Sequence, residues 1–131
     1  MAKLSEKASK SAIVNPKDPE HFMFLTPISN RVRVYKGEDL LADTAKAIYL
    51  QEFKSAAAPP RLYIPSEDIK APLTKEEKTT FCPIKGNASY YLHEGIEVAW
   101  AYNDPLDFAK EIKGFCSFYD QEVTVLIGNS T

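Results

Sequence analysis

The sequence predicts a mainly β protein with two short helices, and three observations carry that prediction. Apolar and polar side chains alternate strictly in Arg31-Val32-Arg33-Val34-Tyr35 ahead of a glycine turn, the pattern of a half-buried hairpin strand. A second hairpin signal surrounds Gly95, between Tyr90-Tyr91 and the run at residues 96–102. Residues 115–127 are rich in aromatic and β-branched side chains, which suit a pleated surface. The 131 residues have the size of one domain. No stretch repeats, which argues against a solenoid or a propeller.

The elements follow in chain order. Residues 1–20 are rich in Lys, Ser, Pro and Glu with no hydrophobic period, so they read as a flexible tail ahead of a globular domain at 21–131. Phe22-Met23-Phe24-Leu25 is the first apolar run and reads as an opening strand. The alternating strand returns over residues 39–43 through Lys36-Gly37-Glu38, because Gly37 tolerates the positive φ of a tight turn. Residues 45–53 fit strand or helix equally, and Ala-Ala-Ala-Pro-Pro at 56–60 reads as a surface loop. Arg61-Leu62-Tyr63-Ile64 is a short strand closed by Pro65, and Ser66-Glu67-Asp68 suits one helical turn. Thr74 with Glu77 three positions on has capping-box spacing and predicts a helical piece over 74–79. Asp104-Pro105 is a stronger start signal, a capping carboxylate followed by Pro at the first helical position. Phe108 and Ile112 then share a face and Gly114 stops the helix.

Composition limits the function classes. Sixteen basic and eighteen acidic side chains leave a net charge of −2, so no global field favours a phosphate polymer and nucleic acid is not an expected partner. The apolar runs are far too short for a membrane span, and the start MAKLSEKASKSAIV has no apolar core of a secretion signal. The expected location is therefore cytoplasmic, where Cys82 and Cys116 stay reduced. Two Cys and two His without C-x-x-C or H-x3-H spacing give no zinc pattern, and no metal is expected. No motif names a cofactor or an oligomeric state.

The stretch Cys82-Pro83-Ile84-Lys85-Gly86-Asn87-Ala88-Ser89-Tyr90-Tyr91 is the least generic. Pro83 fixes one backbone angle and Gly86 permits an unusual one, so a stiff loop can hold a thiol and an ammonium group in place. With Glu94-Gly95 as a two-residue turn, His93 pairs with Ile96, Tyr91 with Val98 and Ser89 with Trp100. That register puts Ser89, Tyr91, His93, Val98, Trp100 and Tyr102 on one face, with His93 exposed at the turn; a slip of one residue sends Trp100 to the face of Tyr90 instead.

Arg31-Val32-Arg33-Val34 with Gly37 and Asp43, and Tyr63-Ile64-Pro65 with Asp68, resemble the domain-of-unknown-function 427 family. The likeness continues through Thr80-x-Cys82-Pro83-x-Lys85-Gly86-x-Ala88-Ser89-Tyr90-Tyr91, Ala99-Trp100-x-Tyr102 and Phe118-Tyr119, over roughly residues 22–122. The tight Gly95 hairpin and Cys116 depart from the family pattern. The resemblance implies a compact, tent-like, mostly antiparallel β domain without the zinc cysteines of the methionine-sulfoxide-reductase-B shape it is akin to. It implies no established activity. The nucleotidyltransferase-like label sometimes attached to the family finds no support in these residues. No Gly-Ser or Gly-Gly turn precedes paired acids that would hold two metals, and no phosphate loop is present.

Each candidate side chain has a functional and a structural reading. Lys85 is a point charge for a phosphate or carboxylate, or a solvated turn lysine. Cys82 is a nucleophile, or a small buried hydrophobe as Cys116 is. Asp68 and Asp43 form an acid/base pair, or close a turn and end a strand. Arg33 meets an anion or lines an exposed strand face. Tyr63, Tyr91, Trp100 and Tyr102 wall a pocket, or fill a core that a small β domain needs. The expected function is a cytoplasmic small-molecule-binding domain with a pocket for an anionic or phosphorylated metabolite around the Cys-Pro-x-Lys-Gly loop. In it Cys82 and Asp68 are candidate catalytic groups. Arg33, Asp43, Tyr63, Lys85, Gly86, Ser89, Tyr91, Trp100 and Tyr102 are candidate ligand contacts. The competing classes are a non-enzymatic protein-interaction module and a small group-transfer or hydrolytic enzyme.

Overall fold

The structure is a computed structural model that describes residues 12–128. Its strands are β1 (Ile13–Asn15), β2 (Asp18–Pro27), β3 (Arg31–Lys36), β4 (Asp39–Thr44), β5 (Ile48–Lys54), β6 (Ala56–Ala57), β7 (Arg61–Pro65), β8 (Thr74–Cys82), β9 (Gly86–His93), β10 (Ile96–Ala101), β11 (Phe115–Phe118) and β12 (Thr124–Gly128). Two 3₁₀ turns, Ser66–Asp68 and Asp107–Ile112, are its helical elements. A nine-stranded sheet runs β1-β2-β5-β7-β11-β10-β9-β8 with β6 on β5, and a three-stranded sheet runs β12-β3-β4. The fold is mainly β, and the strand pairings between described residues are antiparallel.

Alternation decides which sheet faces meet. Val32 and Val34 of β3 are fully buried while Arg31 and Arg33 between them face outward. With Leu41 and Ala42 they pack on Ile64, Val98, Ala99 and Phe118 of the large sheet, so one core lies between the sheets. A second core gathers Met23, Leu50 and Tyr63 from the large sheet around Ile84 and the Ala109 and Ile112 side chains of the later 3₁₀ turn. Burying each such large apolar side chain contributes about 1.5–3 kcal/mol. That second core anchors the turn carrying Lys85.

Five features depart from the sequence expectations or decide what they left open. The tail expected over residues 1–20 lies outside the described residues up to position 11, but residues 13–15 and 18–20 are strand. Ile13 and Val14 pair with Met23 and Phe22, so a few apolar side chains suffice to add an edge strand where composition alone shows none. The helical piece expected over 74–79 is part of β8, because pairing with β9 satisfies backbone groups that the capping box would satisfy only locally. The helix expected from Asp104-Pro105 starts later and is 3₁₀ with a kink at Ala109, since the Leu106 amide is already committed to the Lys85 carbonyl at 3.0 Å. Of the ambiguous residues 45–53, those from Ile48 on belong to strand β5 and the three before it do not.

The fifth difference is register. His93 pairs with Ile96 across the Glu94-Gly95 turn as expected, but a bulge at Val98 then shifts the ladder by one residue. Tyr91 therefore pairs with Ala99, Trp100 with Tyr90 and Ala101 with Ser89, so the face expected to unite Ser89, Tyr91 and Trp100 does not exist. His93 is buried rather than exposed, only 6% accessible.

Candidate functional site

A cavity of about 370 Å³ opens on the large sheet where β5, β7, β9 and β10 meet the turn between β8 and β9. Four residues expected in a pocket line it together: Tyr63, Lys85, Trp100 and Tyr102. Strand alternation brings two further side chains, Leu50 and Glu52, from successive inward positions of β5. Arg61, Tyr90 and Tyr119 complete the aromatic and cationic wall.

Lys85 is held in place by its own turn. The Leu106 amide binds its carbonyl, and the neighbouring Gly86 adopts φ +109°, with space for a Cβ cut off by the Leu106 nitrogen at 3.2 Å. Gly86 shapes the turn and does not itself line the cavity. The Lys85 side chain is 10% exposed, and its Nζ donates to Glu52 Oε1 at 2.5 Å and lies 5.5 Å from the centre of the Tyr102 ring.

Glu52 is the hub of a chain of buried polar groups. The Lys17 amide donates to Asn15 Oδ1 at 3.0 Å, which turns Asn15 Nδ2 toward His21 Nδ1 at 3.3 Å. A ring nitrogen that accepts there leaves the proton on Nε2, which donates to Glu52 Oε2 at 2.6 Å. Burial opposes the charge on Glu52, but the Lys85 ammonium and the two hydrogen bonds outweigh it and hold the carboxyl below its ordinary range.

The aromatic wall is equally ordered. Trp100 Nε1 donates to the Tyr63 hydroxyl at 3.3 Å, with the two rings edge to face at 6.5 Å. Tyr119 lies 4.8 Å from Trp100, and its hydroxyl donates to Glu97 at 2.6 Å. Burial pushes the Tyr63 and Tyr102 hydroxyls well above their ordinary range, so both remain protonated. The Arg61 guanidinium sits 5.7 Å over Trp100 at the mouth, where its partner is the exposed Asp120 at 3.4 Å.

The other candidates lie elsewhere. Asp68 accepts the Thr44 hydroxyl at 2.6 Å, tying the first 3₁₀ turn to β4. Asp43 is paired with Arg31, not with Arg33 opposite it, and the Arg31 hydrogen bonds hold its carboxyl below the usual range. Ser89 is a buried β9 residue away from the cavity. Tyr91 lines a separate apolar cavity of about 240 Å³ with Leu73 and Cys116, whose thiol burial pushes up to about 12. Cys82 ends β8, half-buried against the second core and outside the cavity wall.

Among the described residues Asp39, His93 and Glu94 bring ligand atoms within 4.8 Å of one another. The Nε2 of His93 faces the two carboxylates and its Nδ1 is buried with no partner. A metal on Nε2 would leave an Nδ1–H buried and unpaired, the reverse of the usual arrangement of a metal-bound imidazole.

Sequence reasoning missed Glu52, His21, Asn15 and Arg61. For Glu52 the signal was present, since Leu50 and Glu52 share one face once residues 48–54 are taken as strand. Among the described residues no helix is long and apolar enough to cross a membrane. A protein-family model described as "Domain of unknown function (DUF427)" matches residues 24–129. No curated protein matches the chain.

Proposed function

The chain belongs to the DUF427 family of domains of unknown function, and from its site we propose that it binds a small anionic or phosphorylated metabolite in the cavity beside the Cys-Pro-x-Lys-Gly turn. One observation carries the reading. Tyr63, Lys85, Trp100 and Tyr102, from three separate parts of the sequence, converge on one cavity of about 370 Å³. That volume is in the range of small-molecule sites, and apolar walls with a few fixed polar groups are their usual chemistry. The half-buried Lys85–Glu52 pair costs desolvation that apolar residues would avoid, which favours a role beyond stability.

Binding needs no catalytic step, and neither Cys82 nor Asp68 lines the cavity. We place the protein in the cytoplasm, with which its free cysteines accord. Its net charge of −2 gives no attraction for nucleic acid.

A thermal-shift screen of wild type and Trp100→Ala against nucleotides, phosphosugars and small carboxylates tests the reading. A ligand at a hundredfold its Kd adds about 2.7 kcal/mol to stability, and that gain disappears in the variant. A shift of equal size in both proteins places binding elsewhere.

A competing reading, an interaction module, draws on β12, a sheet-edge strand with Leu126 and Ile127 about half exposed. A blank screen together with partner capture that Leu126→Lys abolishes would favour it.

A further inference from the structure

The cavity is polar in an ordered way, and its charges do not fall where the sequence pointed. We propose that it takes a planar ligand end-on, with a neutral carbonyl-type acceptor inward at Lys85 and Tyr63 and an anionic group outward at Arg61. This rests on the binding reading above and assigns the ligand's class and orientation.

The floor carries no net charge. The Lys85 ammonium is matched by Glu52 at 2.5 Å, and His21 adds no charge in the tautomer that Asn15 selects. An anion seated there would lie against the Glu52 carboxylate as well as against Lys85, and the two interactions oppose each other. The floor does have spare donors. An ammonium has three N–H groups and Glu52 accepts one. The Tyr63 oxygen accepts from Trp100, which leaves its own hydrogen without an acceptor among the described residues. Tyr63 lines the cavity, so that donor is aimed at a group seated there rather than at bulk water. A neutral carbonyl acceptor suits such donors without bringing charge to Glu52.

The walls set the shape. Trp100, with Tyr119 packed 4.8 Å from it, and Tyr102, 5.5 Å from the Lys85 ammonium, line the cavity with aromatic rings, surfaces that suit a flat ring system. At the mouth the guanidinium of Arg61 meets one carboxylate among the described residues, the exposed Asp120 at 3.4 Å. Its remaining N–H donors have no acceptor among the described residues, and a planar fork of donors suits a carboxylate or a phosphate.

Trp100 is the single tryptophan of the chain, so quenching of its emission reports occupancy. The probes are 6-acetyl-2-naphthoate, 2-acetylnaphthalene, which lacks the anion, and 2-naphthoate, which lacks the carbonyl. The two-ended probe binds about fivefold more tightly than 2-acetylnaphthalene, the gain of a partly exposed ion pair. Arg61→Gln or high salt narrows that gap, because the two-ended probe loses more affinity than 2-acetylnaphthalene does. Lys85→Met erases the gap between the two-ended probe and 2-naphthoate. An anion gain that resists both salt and Arg61→Gln overturns the orientation, and this arm decides even where Lys85→Met does not fold. If no naphthalene quenches Trp100 while the metabolite screen gives a Trp100-dependent shift, the ligand class falls and the pocket stands. If both are blank, both fall.

Discussion

Glu52 shows how a single side chain acquires its role from groups far away in sequence. Its partners are His21 and Lys85, which lie 31 and 33 positions away. Replacing it with Gln leaves a buried ammonium facing a neutral amide, at a cost of about 2 kcal/mol near neutral pH, below the full value for a sealed pair because solvent reaches the carboxylate. The carboxyl has a folded pKa below its ordinary value of 4.5. Its stabilising contribution is therefore complete above 4.5 and is lost as pH falls through the lower folded value. Urea melts of wild type and Glu52→Gln should differ most near neutrality and converge through that acidic window. Equal differences at both ends would remove the Lys85 pair as a source of stability. From the sequence Lys85 was legible, because Pro83 and Gly86 announce a stiff turn. Its partner was not, because no local pattern encodes a contact across three strands.

Elements were legible where one period dominated. The β3 alternation, the β3–β4 hairpin and the His93–Ile96 turn stand as the sequence predicts. Residues 74–79 went to strand because β9 offers a full ladder, and no window of six residues contains that information. The Val98 bulge is likewise set by tertiary packing, since a fully buried valine there fills the core between the sheets. Its effect is to place Trp100 opposite Tyr90, in the cavity wall. The β8–β9 turn carries its own prediction. Gly86→Ala forces a side chain into φ +109° with a backbone nitrogen 3.2 Å from the new carbon. The expected loss is about 1–3 kcal/mol in chemical denaturation, with ligand affinity lowered through displacement of Lys85. An unchanged midpoint would show the turn to be less constrained than its geometry requires.

At the scale of the molecule, the two sheets and two cores divide the work. The core between the sheets is built mostly from small and branched side chains, with Phe118 among them, whereas the second is richer in aromatic residues and borders the cavity. Fold class followed from the two hairpin signals and the aromatic, β-branched run at 115–127. The site was half legible, since aromatic residues and a lysine in one stiff segment marked its wall while its acidic hub sat in a segment of ambiguous period.

Family likeness and physical integrity draw the chain's lower boundary in different places. The matched segment begins at residue 24, yet Asn15 and His21 belong to the same hydrogen-bonded chain as Glu52. A protein trimmed to its matched length loses β1 and the first six of the ten residues of β2, the buried Met23 among them, and exposes one flank of Glu52 to water. Residues 24–131 should thus fold with a lower melting temperature than residues 12–131 and bind ligand more weakly. Parallel melts and titrations of the two lengths measure this. Equal behaviour would mean that the Lys85 pair holds without its buttress. Homology marks what relatives share, while the unit to express, crystallise or graft is the one whose polar contacts close upon themselves.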